Sequence, residues 1–295
     1  MKKYIAPALA VFVFYSGASY AADNASAAPT VREGMPMPDH ALLDRALKGD
    51  AKAQYEMGLA YASGEGAARD HRTAVTWFEK AARQNHLEAQ YDLGMIYMFT
   101  EEEGLRNPVK STDWFSMAAE QGHLRAQNAI AAAYSSGDGV AKDPEKALGW
   151  WRKAAAQKSP EAQFNIGYAY LSGEGIEASA AEAMRWFTLA AEQNNANAQY
   201  LLGRGYTEGT GVKADTATSL RWLHKAADQQ HPAAMMLIGD AYVDGLGVEK
   251  NDVEAYYWYA RAADVEPSFN EERDALRAKI SPKDQIDVQK RLLNR

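Results

Sequence analysis

The sequence predicts an all-α solenoid built from six helix-turn-helix repeats, with capping helices at both ends. Three observations carry that prediction. A short pattern recurs along the chain: Ala53-Gln-Tyr-Glu-Met-Gly58 returns in variant form at Ala89, Ala126, Ala162, Ala198 and Ala234, with four intervals of 36 residues and one of 37. Within each unit the apolar residues fall at helical spacing rather than in alternation. Glycines and capping residues then sit where one helix must stop and the next begin. One such unit cannot bury its apolar stripe alone, so the units must stack.

Before the repeats come three short segments. Lys2 and Lys3 precede an apolar run from Ile5 to Tyr15, and small residues follow as far as Ala21; these are the three parts of a secretory signal. Residues 1–21 are read as that signal, with cleavage after Ala21. The run is about half of what a membrane span needs, so no membrane insertion is expected after cleavage. Residues 22–38, rich in Ala, Pro and Ser and without periodicity, read as a flexible tether. Residues 39–52, with Ala41-Leu-Leu-Asp-Arg-Ala-Leu-Lys-Gly49, read as an N-terminal capping helix. The expected location is the periplasm, with release from the cell as the alternative.

Composition narrows the partner class. With 47% hydrophobic and 11% aromatic residues, the chain has enough apolar surface for a packed core. Removing Lys2 and Lys3 takes the formal charge from −7 to −9, which repels phosphate backbones and anionic lipid and argues against nucleic acid as a partner. There is no cysteine, so stability must come from packing without disulfides.

Each unit between 53 and 268 reads as two amphipathic helices. Ala53, Met57 and Tyr61 form one stripe at i, i+4 and i+8, and Ala74, Trp77, Phe78, Ala81 and Ala82 form the broader stripe of a second helix. The tyrosine recurs as Tyr97, Tyr134, Tyr170, Tyr206 and Tyr242. The glycine pairs Gly64/Gly66, Gly137/Gly139, Gly173/Gly175, Gly209/Gly211 and Gly245/Gly247 stop the first helix where a positive φ is needed. Asp70, Asn107, Asp143, Ser179, Asp215 and Asn251 are capping types that open the second helix. Trp77, Trp114, Trp151, Trp186, Trp222 and Trp258 are expected to fill the space between units. Residues 269–295 read as two closing helices, Phe269 to Ile280 and Ser281-Pro282 to Leu293.

Taken together, Ala-x-x-x-Leu-Gly-x-x-Tyr-x-x-Gly-x-Gly-Val, then Asp, then Ala-x-x-Trp-Phe-x-x-Ala-Ala, resembles the Sel1-like repeat, a relative of the tetratricopeptide repeat, over residues 53 to 268. The resemblance implies a non-enzymatic scaffold or regulator that holds a protein partner. As an alternative it implies an immunity or inhibitor protein that neutralises a toxin or effector in the periplasm, a role that some exported relatives serve. A third implication, β-lactam binding or hydrolysis as in cysteine-rich relatives, lacks support in the residues. No serine has a lysine three positions later, and Lys-Thr-Gly and Gly-x-Ser-x-Gly are absent.

No catalytic, metal or cofactor site is expected elsewhere. His86, His123 and His231 share one register, three residues before a repeat start, and read as solvated turns between units. The Gly-x-Gly pairs follow helices rather than strands, so they are helix stops and not phosphate loops. Glu101-Glu102-Glu103 replaces the glycine pair of the second unit and coincides with the single insertion. It reads as a distorted turn, with a metal role or a partner contact as the alternatives.

The expected binding surface lies on the first helices, which line the concave face of stacked helical pairs. With the buried stripe at unit positions 1, 5 and 9, the opposite side carries positions 3, 7 and 10. There the sequence places Tyr55, Tyr91, Met95, Met98, Phe164, Tyr168, Leu171, Tyr200 and Met236, with Arg204 and Asp240 for polar selectivity. Aromatics and methionines on such a face are the composition of a protein-binding groove. For position 3 the competing expectation is that it packs against the next unit and is core.

Overall fold

The computed structural model describes residues 40–64, 69–102 and 104–294. The expected signal peptide and tether lie outside them. Every regular element among the described residues is helical. The helices group into two compact stacks, within residues 1–157 and 158–295.

In the first stack α1 (His40–Leu47) precedes three helical pairs: α2 (Ala51–Ser63) with α3 (His71–Ala82), α4 (Leu87–Phe99) with α5 (Pro108–Glu120), and α6 (Leu124–Ser136) with α7 (Pro144–Ala156). In the second stack three further pairs are α8 (Pro160–Ser172) with α9 (Ala180–Glu192), α10 (Ala196–Glu208) with α11 (Thr216–Asp228), and α12 (Pro232–Asp244) with α13 (Asp252–Val265). A 3-10 turn (Pro267–Phe269), α14 (Asn270–Arg277) and α15 (Pro282–Leu293) follow. Each first helix starts two residues before the repeated alanine, because the capping residue stands three positions upstream of it.

Those caps set the register. Asp50, His86, His123, Ser159, Asn195 and His231 each accept a hydrogen bond from the backbone N–H of the repeated alanine, satisfying one orphan donor of the first turn. The three histidines are therefore caps, not solvated turns, and each rests on or near an aromatic ring. Second helices open on Asp70, Asn107, Asp143, Ser179, Asp215 and Asn251, whose side chains all accept from N–H groups inside the first turn. The loop between the two helices is closed each time by one bond: the cap's N–H donates to the carbonyl of the repeated tyrosine, as from Asp70 to Tyr61 and from Asp215 to Tyr206.

Two kinds of glycine bring the helices together. Gly58, Gly94, Gly167, Gly203 and Gly239 face Phe78, Phe115, Phe187, Leu223 and Tyr259 of the paired helix, and a Cβ on any of them would overlap that side chain. In each turn pair the first glycine is the left-handed stop. The second does something the helix-stop reading omits: Gly139 and Gly211 press against the carbonyls of Pro108 and Ala180, at the start of the preceding unit's second helix.

The residue that meets the glycine is buried in every unit that has that glycine, while the tryptophan before it is buried at Trp77 and Trp258 and nearer the edge in the others. Phe78, Phe115, Phe187 and Leu223 are closed off, whereas Trp114, Trp186 and Trp222 are half-buried. The third unit corrects the sequence reading. Trp150, half-buried and covered by Lys153 as Trp77 is by Lys80, holds the tryptophan register. Trp151 instead takes the buried place of the phenylalanine.

In four of the units a buried glutamine ties the first helix to the helix before it and to the end of its own second helix. Gln54, Gln90, Gln127 and Gln199 donate from Nε2 to the carbonyls of Ala46, Ala82, Ala119 and Ala191 at the end of the preceding helix, at 3.0, 3.1, 3.2 and 3.1 Å. Their Oε1 atoms accept from Gln84, Gln121, Gln157 and Gln229 at the end of their own unit's second helix. In the sixth unit Met235 stands at this position, and Arg261 donates to the Ala227 carbonyl instead, at 3.2 Å.

Gly211→Ala is expected to destabilise the chain by about 3 kcal/mol or more, because the new Cβ meets backbone and the residue keeps a left-handed φ of 69°. Gly149→Ala, in an open helical position with no atom within 4 Å of the new Cβ, should stabilise it by about 0.5–1 kcal/mol. Urea unfolding followed by circular dichroism separates the two; equal effects would refute the close-approach role of Gly211.

Candidate functional site

The residues expected to line a groove divide by their unit position. Tyr91, Phe164, Tyr200 and Met236, all at position 3, are buried, with Tyr91 closed off completely. Tyr55 at the same position is half-buried. This corrects the expectation that position 3 faces a partner. The reason is packing on two sides: each first helix contacts its own second helix and, within a stack, the second helix of the preceding unit. Position 3 fills the gap between the paired helix and the turn that opens the next unit. Tyr91 lies 5.7 Å from Phe115 and 5.2 Å from His123, Phe164 lies 5.8 Å from Phe187, and Tyr200 stacks on His231 at 4.6 Å.

Positions 7 and 10 keep more access. Met95 in the first stack, and Tyr168, Leu171, Arg204 and Asp240 in the second, are half-buried, while Met98 is buried. The two charged residues are engaged within their own stack. Arg204 Nε donates to Glu208 one turn on at 3.0 Å, and Asp240 accepts from the Tyr259 hydroxyl. Burial raises the Asp240 carboxyl above its ordinary range.

The first stack holds a cluster of titratable groups that the sequence reading did not assemble. Asp92 on α4 is buried and accepts from the Tyr55 hydroxyl at 2.9 Å. Burial pushes its carboxyl up to about 6, against the opposing pull of that hydrogen bond and of the Arg125 charge. Glu88 on the same helix lies 3.1 Å from His123 Nε2, and Arg125 covers the Tyr91 ring at 4.3 Å. In the second stack burial pushes the His231 imidazole down to about 4, which keeps the ring neutral so that Nδ1 can accept as a helix cap.

The first stack also contains a cavity of about 480 Å3 between the end of α4 and the middle of α6. Its floor is apolar, with Met98, Phe99, Phe115, Ala129, Ala132 and Ala133, and its rim carries Glu101, Glu102, Arg106 and Asp138. Two departures from the repeat make it. The first helix of the second unit ends at Thr100 in an extended conformation, where Gly64, Gly137, Gly173, Gly209 and Gly245 turn left-handed. On α6, Ala129 and Ala132 stand where other units carry Leu201 and Leu237, or Met95 and Tyr168. The acidic run was visible in the sequence; the missing volume opposite it was not, because alanine suits any helix. Among the described residues no group of three or more His, Cys, Asp or Glu side chains could hold a metal ion, and no helix is long and apolar enough to cross a membrane.

A family model described as Sel1 repeat matches residues 51–86, 87–123, 124–159, 160–195, 196–231 and 232–265. Among solved structures, the Sel1 repeat protein from Oxalobacter formigenes is 32% identical over 80% of this chain and 68% of that one, with a TM-score of 0.72. A protective antigen of uropathogenic Escherichia coli, c5321, which displays an SLR fold, is 26% identical over 84% of this chain and 69% of that one, with a TM-score of 0.39. The immunity protein Pa5087 from Pseudomonas aeruginosa is 19% identical over 73% and 81% of the two chains, with a TM-score of 0.44. Of these three, the first alone superposes closely. No curated protein matches the chain.

The buried Asp92 makes stability depend on pH. Its carboxyl holds a proton more tightly in the folded chain than at its ordinary value of 3.8, so its contribution is full below about pH 4 and is lost as pH rises through about 6. Asp92→Asn keeps an acceptor for Tyr55 and cannot ionise. Its stability relative to the wild type should therefore rise by about 2 kcal/mol between pH 4 and pH 7, read from denaturant unfolding at the two pH values; parallel behaviour would show that Asp92 does not titrate there.

Proposed function

This chain belongs to the Sel1 repeat family, and from that premise we propose that it is an exported, non-enzymatic scaffold that holds a protein partner on the accessible faces of its first helices. The observation that carries this reading is the recurrence of large residues at positions 7 and 10. Met95, Tyr168 and Leu171 are large apolar side chains that keep part of their surface in water on the first helices. Side chains of this kind bury much area on contact at modest entropic cost. Arg204 and Asp240 lie in the same register and add polar selectivity at the edges of such a contact.

The export part of the proposal rests on the charged, apolar and small-residue order of residues 1–21. The partner part rests on the family's scaffold architecture and on the acidic balance of the chain, which disfavours nucleic acid. Fold alone does not fix a partner, so the accessible faces are what must be tested.

Affinity capture from envelope extract, run with the wild type beside a Met95→Ser/Tyr168→Ser/Leu171→Ser variant of unchanged helicity, tests the reading directly. A protein retained by the wild type and lost by the variant is the expected outcome; equal retention by both, or none by either, would overturn it. Export has its own test. Full-length chain made in a Gram-negative host should be recovered from the periplasm with its N-terminus at Ala22, whereas a 295-residue product confined to the cytoplasm would refute the signal.

A further inference from the structure

At the cavity between α4 and α6 the repeat pattern is broken on both sides at once. Its floor is made by Phe115, which is fully buried, by Met98 and by three alanines. Its rim carries three carboxylates against one guanidinium. Arg106 is held by donating from Nε to the Met98 carbonyl at 3.2 Å, and Glu102 lies 2.8 Å from His71 Nδ1. Glu101 and Asp138 remain exposed at the mouth, with Asp138 accepting a hydrogen bond from Ser136 at 3.0 Å.

An apolar floor under an acidic mouth suits one kind of occupant. Free metal ions and small anions gain nothing from the floor, and a purely apolar segment leaves the carboxylates unanswered. Long basic side chains lay an aliphatic stem along apolar surface while keeping the charge at the edge, and an apolar neighbour can fill the space beneath. The net negative charge of the whole chain adds attraction for such a segment at a distance.

We propose that this cavity is a recognition pocket for a segment of a partner protein that presents a bulky apolar side chain next to a lysine or arginine. This rests on the reading of the chain as a protein-binding scaffold and names the chemistry that one of its sites selects. The floor sets the size of the apolar residue, and Glu101 with Asp138 sets the sign of its neighbour.

The test uses the chain as purified from expressing cells, labelled at alanine and methionine methyl groups, and three probe hexapeptides: Ala-Ala-Phe-Arg-Ala-Ala, its Phe-Glu counterpart and its Ala-Arg counterpart. The Phe-Arg peptide should shift the methyl signals of Met98, Ala129, Ala132 and Ala133 and bind at least tenfold more tightly than either counterpart. Ala132→Leu, which fills the floor, and Glu101→Lys/Asp138→Lys, which reverses the rim at exposed sites, should each weaken it at least tenfold. No shift at these methyls, shifts centred elsewhere, or equal binding of the three peptides would overturn the pocket. Such a failure would leave capture of a partner through Met95, Tyr168 and Leu171 unaffected, so the two readings fail separately.

Discussion

The buried glutamine that follows the repeated alanine in the first five units is the contact on which the repeat depends. A primary amide buried away from water must satisfy a donor and an acceptor together, or lose the energy of both. In units one to three and in the fifth it does so by bridging the last carbonyls of one helix and the glutamine that ends another. Only one offset between three helices meets both demands, so the amide fixes register where apolar packing alone would allow sliding. The sixth unit shows the demand from the other side. Its methionine cannot donate, and an arginine from the following helix supplies the missing hydrogen bond to the Ala227 carbonyl.

Fixed register explains why so little of each first helix is free. Once the glutamine sets the offset, the glycine at position 6 meets a large apolar side chain of the paired helix and position 3 meets the turn that opens the next unit. That turn is capped by a histidine in three units, and its ring packs against Tyr55, Tyr91 or Tyr200. The cap requires a neutral ring nitrogen as acceptor, and for His231 burial keeps it neutral. Helix capping, ring packing and titration are thus one arrangement seen from three sides. Function is left with the residues at positions 7 and 10 that packing leaves half-buried, such as Met95, Tyr168 and Leu171, and with any place where a unit breaks the pattern.

The second and third units break it together. One loses the left-handed glycine that ends its first helix, and the next has alanine at two positions where its counterparts are larger. Combined, they open a cavity whose floor is the unit's own core phenylalanine and whose rim is acidic. Repeats make such a site easy to recognise, because the other units show what the same backbone does when nothing needs the space.

The sequence by itself determined the helical pairs, their number and the caps that open the second helices, because these rest on local chemistry: a 3.6-residue period, a side chain that can cap, a glycine that can turn left-handed; that His86, His123 and His231 cap first helices came only from the structure. It also located the acidic departure in the second unit. What only the tertiary structure decided was which face is left over. A single stripe at positions 1, 5 and 9 suggested that Tyr91, Phe164 and Tyr200 look outward, but a helix packed on two sides has two buried stripes, and no single-helix period reveals the second. The same limit hid the role of Ala132, since an alanine marks an empty space only when the residues across from it are known.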